Sequence, residues 1–324
     1  MLASLTRVLA CITVLAATSS AFAQENLLGM PRPLDARKPG AVFLHGGGRI
    51  TNEVFERFWQ LAGGREARIV FVPSAGFRPT DYNTEAEFLA ALSNRYGSWV
   101  ALGSRGYVKN FQFLYTDNTT DADDPRFVRA LEQATGVWFS GGAQSRLNYR
   151  YVGKYPTQTK FQTALRGVLE RGGVVGGTSA GMAALPEIMT MYEYRESASG
   201  PANVAAAHGF GLMQRAIVEQ HFDARGGRLE RFTGLLRDNA KLDALAQRRN
   251  AGEQMIGLAV EEGGALVARG DRLEVLGYAD SHIFVKTDSG RTLSWNRLSP
   301  GDTAQLRRDV TGAVMRREET TLSR

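Results

Sequence analysis

Short apolar runs alternate with longer amphipathic stretches along the first two-thirds of the chain. The apolar runs are rich in β-branched residues and end at glycine, proline or a polar residue, whereas the stretches between them carry apolar residues at helical spacing. Near-continuous apolar strands that alternate with helices predict a parallel sheet covered on both faces. The predicted strands are residues 41–44, 68–72, 111–115, 137–139 and 173–177, and the predicted helices are residues 51–62, 85–96, 124–133 and 159–171.

The hydrophobic pattern changes in the last third of the chain. Residues 216–222 and 256–260 are predicted to be buried strands, with a helix over residues 229–247 between them. Three short apolar runs then follow one another closely, which favours antiparallel pairing. These runs are residues 265–269, 273–277 and 282–287. The sequence therefore predicts an α/β fold with a mostly parallel sheet, helices on both of its faces, and a small antiparallel C-terminal extension.

The ends of the chain have their own patterns. Residues 1–23 resemble a secretory signal peptide, with a positive charge at Arg7, an apolar run over residues 8–17, and the cleavage motif Ala21-Phe22-Ala23. The apolar run is shorter than the ~20 residues of a permanent transmembrane helix, although an uncleaved anchor is the alternative. We therefore expect cleavage after Ala23 and a periplasmic or secreted protein without stable membrane insertion.

The expected domain organisation follows from these boundaries. A leader occupies residues 24–40, a single α/β domain including the antiparallel extension occupies residues 41–307, and residues 308–324 form a charged tail.

Composition and charge exclude several classes of function. Cys11 is the only cysteine and leaves with the signal, so the mature chain has no disulfide, thiolate nucleophile or cysteine metal site. The net charge of +6 comes from arginines scattered among acidic residues, which argues against a nucleic-acid partner and favours a small acidic substrate. The sequence lacks a His-x-x-x-His pattern, a phosphate loop and a dinucleotide fingerprint, so we expect neither a metal nor another cofactor.

The strongest chemical signal is a Gly-x-Ser-x-Gly motif centred on Ser179, which directly follows a predicted strand. A serine on a sharp strand-to-helix turn is raised above the sheet, and only small residues such as Gly177 and Gly181 fit beside it. The free N–H of Ala180 at the start of the following helix then faces the site and is a candidate oxyanion donor. The alternative is a glycine-rich turn that only packs a helix onto a strand.

A nucleophilic serine needs a base, and the chain has four histidines: His45, His208, His221 and His282. His221 lies where the apolar run over residues 216–222 becomes polar, and α/β folds place their sites at the ends of parallel strands. His45 is followed by three glycines, which is similar to the HGGG oxyanion motif of lipases. We therefore predict that His221 is the base.

Several motifs, in order from residue 41 to residue 267, resemble those of cyanophycinases, which belong to peptidase family S51. The matching segments are Arg68-Ile69-Val70-Phe71-Val72-Pro73, Phe139-Ser140-Gly141-Gly142-Ala143-Gln144, Gly177-Thr178-Ser179-Ala180-Gly181, Gly209-Phe210-Gly211-Leu212, Glu219-Gln220-His221-Phe222 with Arg225, and Ile256-Gly257-Leu258-Ala259-Val260-Glu261-Glu262. The resemblance implies a class I glutamine amidotransferase-like fold, a serine peptidase activity on a peptide substrate, and a homodimer.

The resemblance also implies roles for individual residues. Ser179, His221 and Glu262 would form the catalytic triad, with Glu261 as the rival acid. The second oxyanion donor would be the amide of Gly142. The implied substrate-binding residues are Gln144, Gln220, Arg225 and Arg228, although a solvated helix start is the alternative for both arginines.

The chain departs from the family pattern around the expected substrate pocket. Ala143 replaces the usual Asp or Asn, and Glu219 replaces an Asp. Gly227 and Glu230 stand where cyanophycin-cleaving members carry arginines. The machinery is intact while the pocket is altered, so the substrate stays open between cyanophycin and a β-aspartyl or α-aspartyl dipeptide.

Two other functions are compatible with parts of the sequence. An α/β-hydrolase esterase has a nucleophile elbow of this kind, but its triad order requires a late histidine, for which only His282 is available. A non-catalytic peptide-binding protein on the same fold is the second alternative, because a fold does not fix a function. The small-residue segment 189–207 follows the nucleophile helix and is a candidate lid over the site.

Overall fold

The structure of the protein, a computed structural model, describes residues 26–191, 205–309 and 312–318. The predicted signal peptide and most of the candidate lid lie outside the described residues. The strands are β1 (Ala41–His45), β2 (Arg68–Val72), β3 (Asn110–Phe113), β4 (Gly136–Phe139), β5 (Val174–Thr178), β6 (Ile188–Met191), β7 (Ala205–His208), β8 (Ala216–Glu219), β9 (Ile256–Val260), β10 (Gly264–Arg269), β11 (Arg272–Gly277), β12 (Ser281–Thr287), β13 (Thr292–Leu298), β14 (Thr303–Arg308) and β15 (Ala313–Glu318).

Nine described helices connect and flank these strands. They are α1 (Asn52–Leu61), α2 (Glu85–Arg95), α3 (Gly97–Ser104), α4 (Pro125–Glu132), α5 (Gln144–Tyr151), α6 (Lys160–Glu170), α7 (Ala180–Ala183), α8 (Arg228–Arg237) and α9 (Asn239–Ala246). The helices α1, α2 and α6 each begin after a threonine whose hydroxyl accepts a backbone N–H of the first turn. Such capping explains why these three helices start where the sequence predicted.

The main sheet has nine strands in the order β15-β14-β11-β10-β1-β5-β4-β2-β3. The strands β1, β5, β4, β2 and β3 pair in parallel. The strands on the other side of β1, which are β10, β11, β14 and β15, pair antiparallel with their neighbours. The carboxyl ends of β1, β4 and β5 therefore lie side by side at one edge. The predicted α/β fold class is confirmed.

A second sheet of four strands has the order β13-β12-β9-β8, in which β8 and β9 run parallel. The predicted antiparallel extension is thus divided between the two sheets: β10 and β11 continue the main sheet, and β12 joins β9. The strands β6 and β7 form a separate antiparallel pair beside β8.

The core consists of three apolar layers. One face of the main sheet packs on α1 and α3 through residues such as Phe43, Phe58 and Trp138. The other face packs on α4, α6 and the inner face of the small sheet, where Val42 and Val218 belong to one buried cluster. The outer face of the small sheet is covered by α8 and α9. The carboxyl ends of β8 and β9 are thereby held above the edge that carries the ends of β1 and β5.

The helix predicted over residues 229–247 is two helices, α8 and α9. Asp238 separates them with a non-helical backbone (φ −84°, ψ 74°), and its side chain accepts the N–H of Lys241 at 3.0 Å. An aspartate offers the backbone this local alternative to a continuous helix, and the apolar periodicity on either side did not reveal it. The helices α3 and α5 were not predicted.

The predicted tail over residues 308–324 does not match the structure where it is described. The boundary at Arg307 falls inside β14, and β15 pairs with β14 at the end of the main sheet. Ala313 and Met315 alternate along β15 and pack against the main core. This period-two pattern is short and is followed by charged residues, which made the segment resemble a tail.

Among the described residues, no helix combines the length and apolarity needed to cross a bilayer.

Candidate active site

Ser179 lies on a strained turn between β5 and α7. Its backbone has φ 55° and ψ −119°, and its N–H donates to the carbonyl of His45 at 2.9 Å. A positive φ at a residue other than glycine is uncommon and is concentrated at functional sites. The turn places the half-buried Ser179 just beyond the carboxyl end of β5, as the motif predicted.

The two glycines of the motif are required by close backbone contacts. A Cβ on Gly177 would lie 2.5 Å from the carbonyl carbon of Gly181, and a Cβ on Gly181 would lie 2.5 Å from the carbonyl oxygen of Phe139. Any side chain at either position would therefore push α7 away from the sheet. The steric reason expected from the sequence is present at both glycines.

His221 is the described histidine that contacts Ser179. Its Nε2 lies 2.7 Å from the Ser179 Oγ, and its Nδ1 is hydrogen-bonded to Oε1 of Glu262. The backbone of His221 has φ 49°, which ends β8 earlier than the predicted residue 222, and its N–H donates to the Gly46 carbonyl at 2.9 Å. The structure thus brings Ser179, His221 and Glu262 into one continuous chain of contacts.

Glu261, the rival acid, has a different partner. Its Oε1 accepts from His282 Nε2 at 2.8 Å, and the indole N–H of Trp295 donates to His282 Nδ1 at 3.1 Å. His282 therefore carries its proton on Nε2 and has both ring nitrogens occupied. The geometry does not favour the esterase alternative, because the late histidine that it requires is engaged away from Ser179.

The three glycines after His45 lie close to the His221 imidazole and to residues 260–263. A Cβ on Gly47, whose φ is 122°, would lie 2.2 Å from Cε1 and 2.6 Å from Nδ1 of the His221 imidazole. Gly48 approaches the side chain of Glu262 in the same turn. The similarity of this segment to the HGGG oxyanion motif of lipases is therefore misleading, because the glycines adjoin the side chains of His221 and Glu262 and the backbone of residues 260–261.

We expect Gly47→Ala to lower kcat/KM by about 10²-fold, because the methyl group forces the imidazole out of line with Ser179 and misplacement by about 1 Å has this effect. Gly97→Ala is the matched control, since no atom lies within 4 Å of its added Cβ. Steady-state kinetics and thermal unfolding of both variants check the prediction. Wild-type kinetics in a folded Gly47→Ala protein would contradict it.

The surroundings of His221 favour its neutral form. Burial lowers the pKa of His221, the positive charge of Arg225 lowers it further, and the hydrogen bond to Glu262 opposes both effects. Only a neutral imidazole accepts a serine proton, so the lowered pKa of His221 favours the form that a base requires at this position.

The two predicted oxyanion donors border Ser179 on different elements. Ala180 is the first residue of α7, so its N–H has no acceptor within that helix. The turn that contains Gly142 follows β4, and a Cβ on the neighbouring Gly141 would lie 3.8 Å from the Ser179 Oγ. Gly142 has φ 146° and lies so close to the Ala75 carbonyl that it admits no side chain. Both residues remain predictions as oxyanion donors.

Gln220 is a predicted substrate-binding residue whose side chain contacts Ser179. Its Oε1 is 3.0 Å from the Ser179 Oγ, which has one proton for two neighbours. When His221 carries its proton on Nδ1, the serine hydroxyl donates to His221 Nε2. The Gln220 amide is then turned so that its nitrogen, and not its oxygen, faces the Ser179 Oγ and donates to it. Gln144 is buried at the start of α5 and donates to the Thr190 carbonyl at 3.1 Å.

The two predicted arginines differ in exposure. Arg225 is exposed in the loop between β8 and α8 and acts electrostatically on His221. Arg228 has only 4% of its side chain exposed, and its guanidinium pairs with the fully buried Glu219. Arg228 is therefore not a solvated helix start, and its described contact is with the protein itself.

The sequence analysis missed Asp223, and it singled out His45 only for the three glycines that follow it. Asp223 accepts the N–H of Glu262 at 3.0 Å, and its position two residues after His221 was the available signal. His45 is buried beneath the elbow, where its Nδ1 lies 2.7 Å from the Thr178 hydroxyl and burial lowers its pKa to about 4. His45 is therefore a neutral residue that supports the turn at Ser179.

Within the described ranges, no group of three or more His, Cys, Asp or Glu side chains is arranged to hold a metal.

The model of peptidase family S51 matches residues 42–276 of the chain. The cyanophycinase of Geminocystis herdmanii is 27% identical over 227 residues, which cover 69% of this chain and 72% of that protein. The cyanophycinase of Synechococcus elongatus is 30% identical over 175 residues, or 53% of this chain, and the match spans about half (48%) of that relative. The crystal structure of a peptidase from an acI-B1 actinobacterium shares the fold, with a TM-score of 0.54, 22% identity, and coverage of 82% of this chain and 97% of that one.

Proposed function

Because the chain belongs to peptidase family S51 and is a serine-type peptidase, we propose that it hydrolyses aspartyl peptide bonds through an acyl-enzyme on Ser179. The observation that carries the proposal is the unbroken series of contacts from Ser179 through His221 to Glu262. A binding protein would have no need of a strained serine aligned with a histidine and a carboxylate.

In the first half of the proposed reaction, the Ser179 Oγ attacks the carbonyl carbon of the scissile bond while its proton passes to His221 Nε2. The imidazolium then gives this proton to the leaving amine as the C–N bond breaks, which leaves an ester on Ser179. In the second half, water attacks the ester, its proton passes through His221 back to Ser179, and the acid product departs. Glu262 holds the Nδ1–H tautomer and stabilises the imidazolium in both halves.

The developing negative charge on the carbonyl oxygen needs donors that are in place before the reaction. We assign this role to the N–H groups of Ala180 and Gly142, which lie on the two elements that border Ser179. Donors fixed in a partly water-excluded site contribute about 3–4 kcal/mol each to stabilising the transition state.

Arg225 is the group best suited to bind a substrate carboxylate. It is exposed, it lies close enough to His221 to lower the pKa of that residue, and a guanidinium binds a carboxylate through paired hydrogen bonds. We assign supporting contacts to Gln144 and Gln220, which are buried at the site. The relatives are named cyanophycinases, so cyanophycin, β-aspartyl-arginine and α-aspartyl dipeptides are the substrates that we propose.

The N-terminal pattern supports export, and we propose that the mature enzyme begins at Gln24 and acts in the periplasm or outside the cell. N-terminal sequencing of the protein recovered from the periplasm of an expressing bacterium tests this, and an intact Met1 in the cytoplasmic fraction would contradict it. The family resemblance further suggests a homodimer, which sedimentation would reveal.

The function is tested by release of free amine from cyanophycin, β-Asp-Arg and α-Asp-Xaa dipeptides, and by release of the alcohol from a short acyl ester. Turnover of an aspartyl substrate supports the proposal and identifies the substrate class. Turnover of the ester alone would return the esterase to consideration, and binding of aspartyl peptides without turnover would indicate the non-catalytic alternative.

We expect the acid limb of the kcat/KM profile to reflect the lowered pKa of His221. Activity should persist below pH 6.5, the ordinary histidine value, and fall as pH drops through the pKa of His221 because the protonated imidazole cannot accept the serine proton. Arg225→Gln removes a charge that lowers this pKa, so the limb should move to higher pH while KM rises. An acid limb that stays in place in Arg225→Gln would contradict this account of the base.

A further inference from the structure

A buried ion pair brackets the loop that carries His221. Glu219, the last residue of β8, is completely buried, and Arg228, the first residue of α8, is 4% exposed. The Arg228 guanidinium donates to Oε1 of Glu219, and the same oxygen accepts the N–H of Gln220 at 3.1 Å. Charges at this depth persist only when they are paired, so the two ends of the loop are joined by a strong local constraint.

The loop between them, residues 220–227, supplies groups to every part of the candidate site. Gln220 and His221 both lie against the Ser179 hydroxyl. Asp223 accepts the N–H of Glu262, and Arg225 acts on the charge state of His221. A small movement of this loop would therefore disturb the base, the acid and the proposed carboxylate contact together.

The two halves of the loop are held differently. In the first half, the N–H of His221 donates to Gly46 at 2.9 Å and the N–H of Phe222 donates to Val260 at 3.3 Å. The second half contains Gly226 and Gly227, and glycine allows the backbone more conformations than any other residue. The path of the chain after Arg225 thus depends on where the loop re-enters fixed structure, which is at Arg228.

We propose that the Glu219–Arg228 ion pair is a positioning device, which closes the base of the loop and keeps His221 and Arg225 in register with Ser179. This inference rests on the proposed function and adds two positioning residues to it. The pair acts through the loop rather than on the substrate, because the Glu219 side chain is fully buried and that of Arg228 is 4% exposed.

Stability and positioning can be separated at this pair. Removing one partner leaves a buried charge alone and destabilises a fold, whereas replacing both partners by uncharged residues of similar volume avoids that penalty. Glu219→Gln combined with Arg228→Met removes both charges while the glutamine oxygen still accepts the Gln220 N–H. The directional bond that joins the two ends of the loop is then lost while neither of these two positions carries a charge.

We expect the double variant to unfold at nearly the same urea concentration as the wild type, but to show kcat/KM lower by about 10²-fold, with both a lower kcat and a higher KM. The imidazole Nδ1–H proton of His221, hydrogen-bonded to Glu262, should give a low-field nuclear magnetic resonance signal in the wild type that broadens in the variant. Arg228→Lys keeps the charge but loses the guanidinium geometry, so a smaller loss of about tenfold is expected.

The control is the ion pair between Glu187 and Arg248, whose atoms Oε1 and Nη1 are 2.8 Å apart. It lies at the opposite end of β8, where Arg248 also donates to the carbonyl of Gln214. Glu187→Gln combined with Arg248→Met should leave kcat, KM and the imidazole signal unchanged.

A Glu219→Gln/Arg228→Met protein with kcat, KM and imidazole signal like the wild type would overturn the inference, as would equal losses in the control. If the double variant does not fold, full activity in Arg228→Lys would overturn it. If the wild type hydrolyses no aspartyl substrate, the proposed function fails, while the imidazole signal still decides whether the ion pair positions His221.

Discussion

Ser179→Ala is expected to lower kcat by roughly a millionfold, because removal of a nucleophilic serine abolishes the acyl-enzyme route. The residual rate should come from substrate binding and the oxyanion donors alone, since the alanine leaves the backbone of the elbow in place. KM should change little, because the hydroxyl contributes to the transition state more than to binding of the substrate. Amine release from the best substrate of the panel, measured with wild type and variant at equal concentration, checks the prediction.

Ser93→Ala is the matched control for this loss. It makes the same chemical change at an exposed position of α2, and the variant should retain wild-type kcat and KM. A Ser179→Ala protein that is folded and retains more than about a tenth of wild-type kcat would show that the reaction does not pass through this serine.

Glu262→Gln is expected to lower kcat by about 10³–10⁴-fold, because an amide can hold the imidazole in the wrong tautomer. We place the loss below that of the serine since 38% of the Glu262 side chain is exposed, which allows water to substitute for part of its effect. The unfolding midpoint should stay close to that of the wild type.

Glu261→Gln makes the identical change one residue earlier. Its carboxylate pairs with His282, so the variant should lose stability through the small sheet and keep kcat within a few-fold of the wild type. The reverse ranking, with Glu261→Gln inactive and Glu262→Gln active, would contradict the assignment of the acid.

The sequence was sufficient to predict the strands that build the site. The strands β2 and β9 begin and end at the predicted residues, because a strand buried on both faces shows an unbroken apolar run bounded by polar or turn-forming residues. The pairing of β12 with β9 was not predictable in this way, since an antiparallel run of similar composition also pairs within the main sheet.

The residues at the ends of these strands were predictable for a related reason. Ser179 and His221 follow β5 and β8 closely, where the apolar pattern stops and a polar side chain needs an explanation. The choice between Glu261 and Glu262 rested on the family resemblance. Adjacent side chains on an extended segment point to opposite sides, and the sequence does not show which side faces His221. In the structure, Glu262 is hydrogen-bonded to His221 and Glu261 is hydrogen-bonded to His282.

Other features of the site depend on contacts between distant segments and leave no local signal. Gly47 lies against the imidazole only because β1 and β8 end at the same place. Arg228 is buried because Glu219 meets it across the loop, and an arginine at a helix start is otherwise expected to be solvated. Composition and spacing cannot reveal such pairings before the fold is known.

Covalent labelling distinguishes a nucleophilic Ser179 that is activated by His221 from an inert serine. The protein and its His221→Ala variant are treated with a fluorophosphonate, and the adduct is located by mass spectrometry of peptides. We expect one adduct on Ser179 in the wild type and a rate of labelling lower by several orders of magnitude in His221→Ala. An adduct on another residue, or labelling of Ser179 at the same rate without His221, would contradict this expectation.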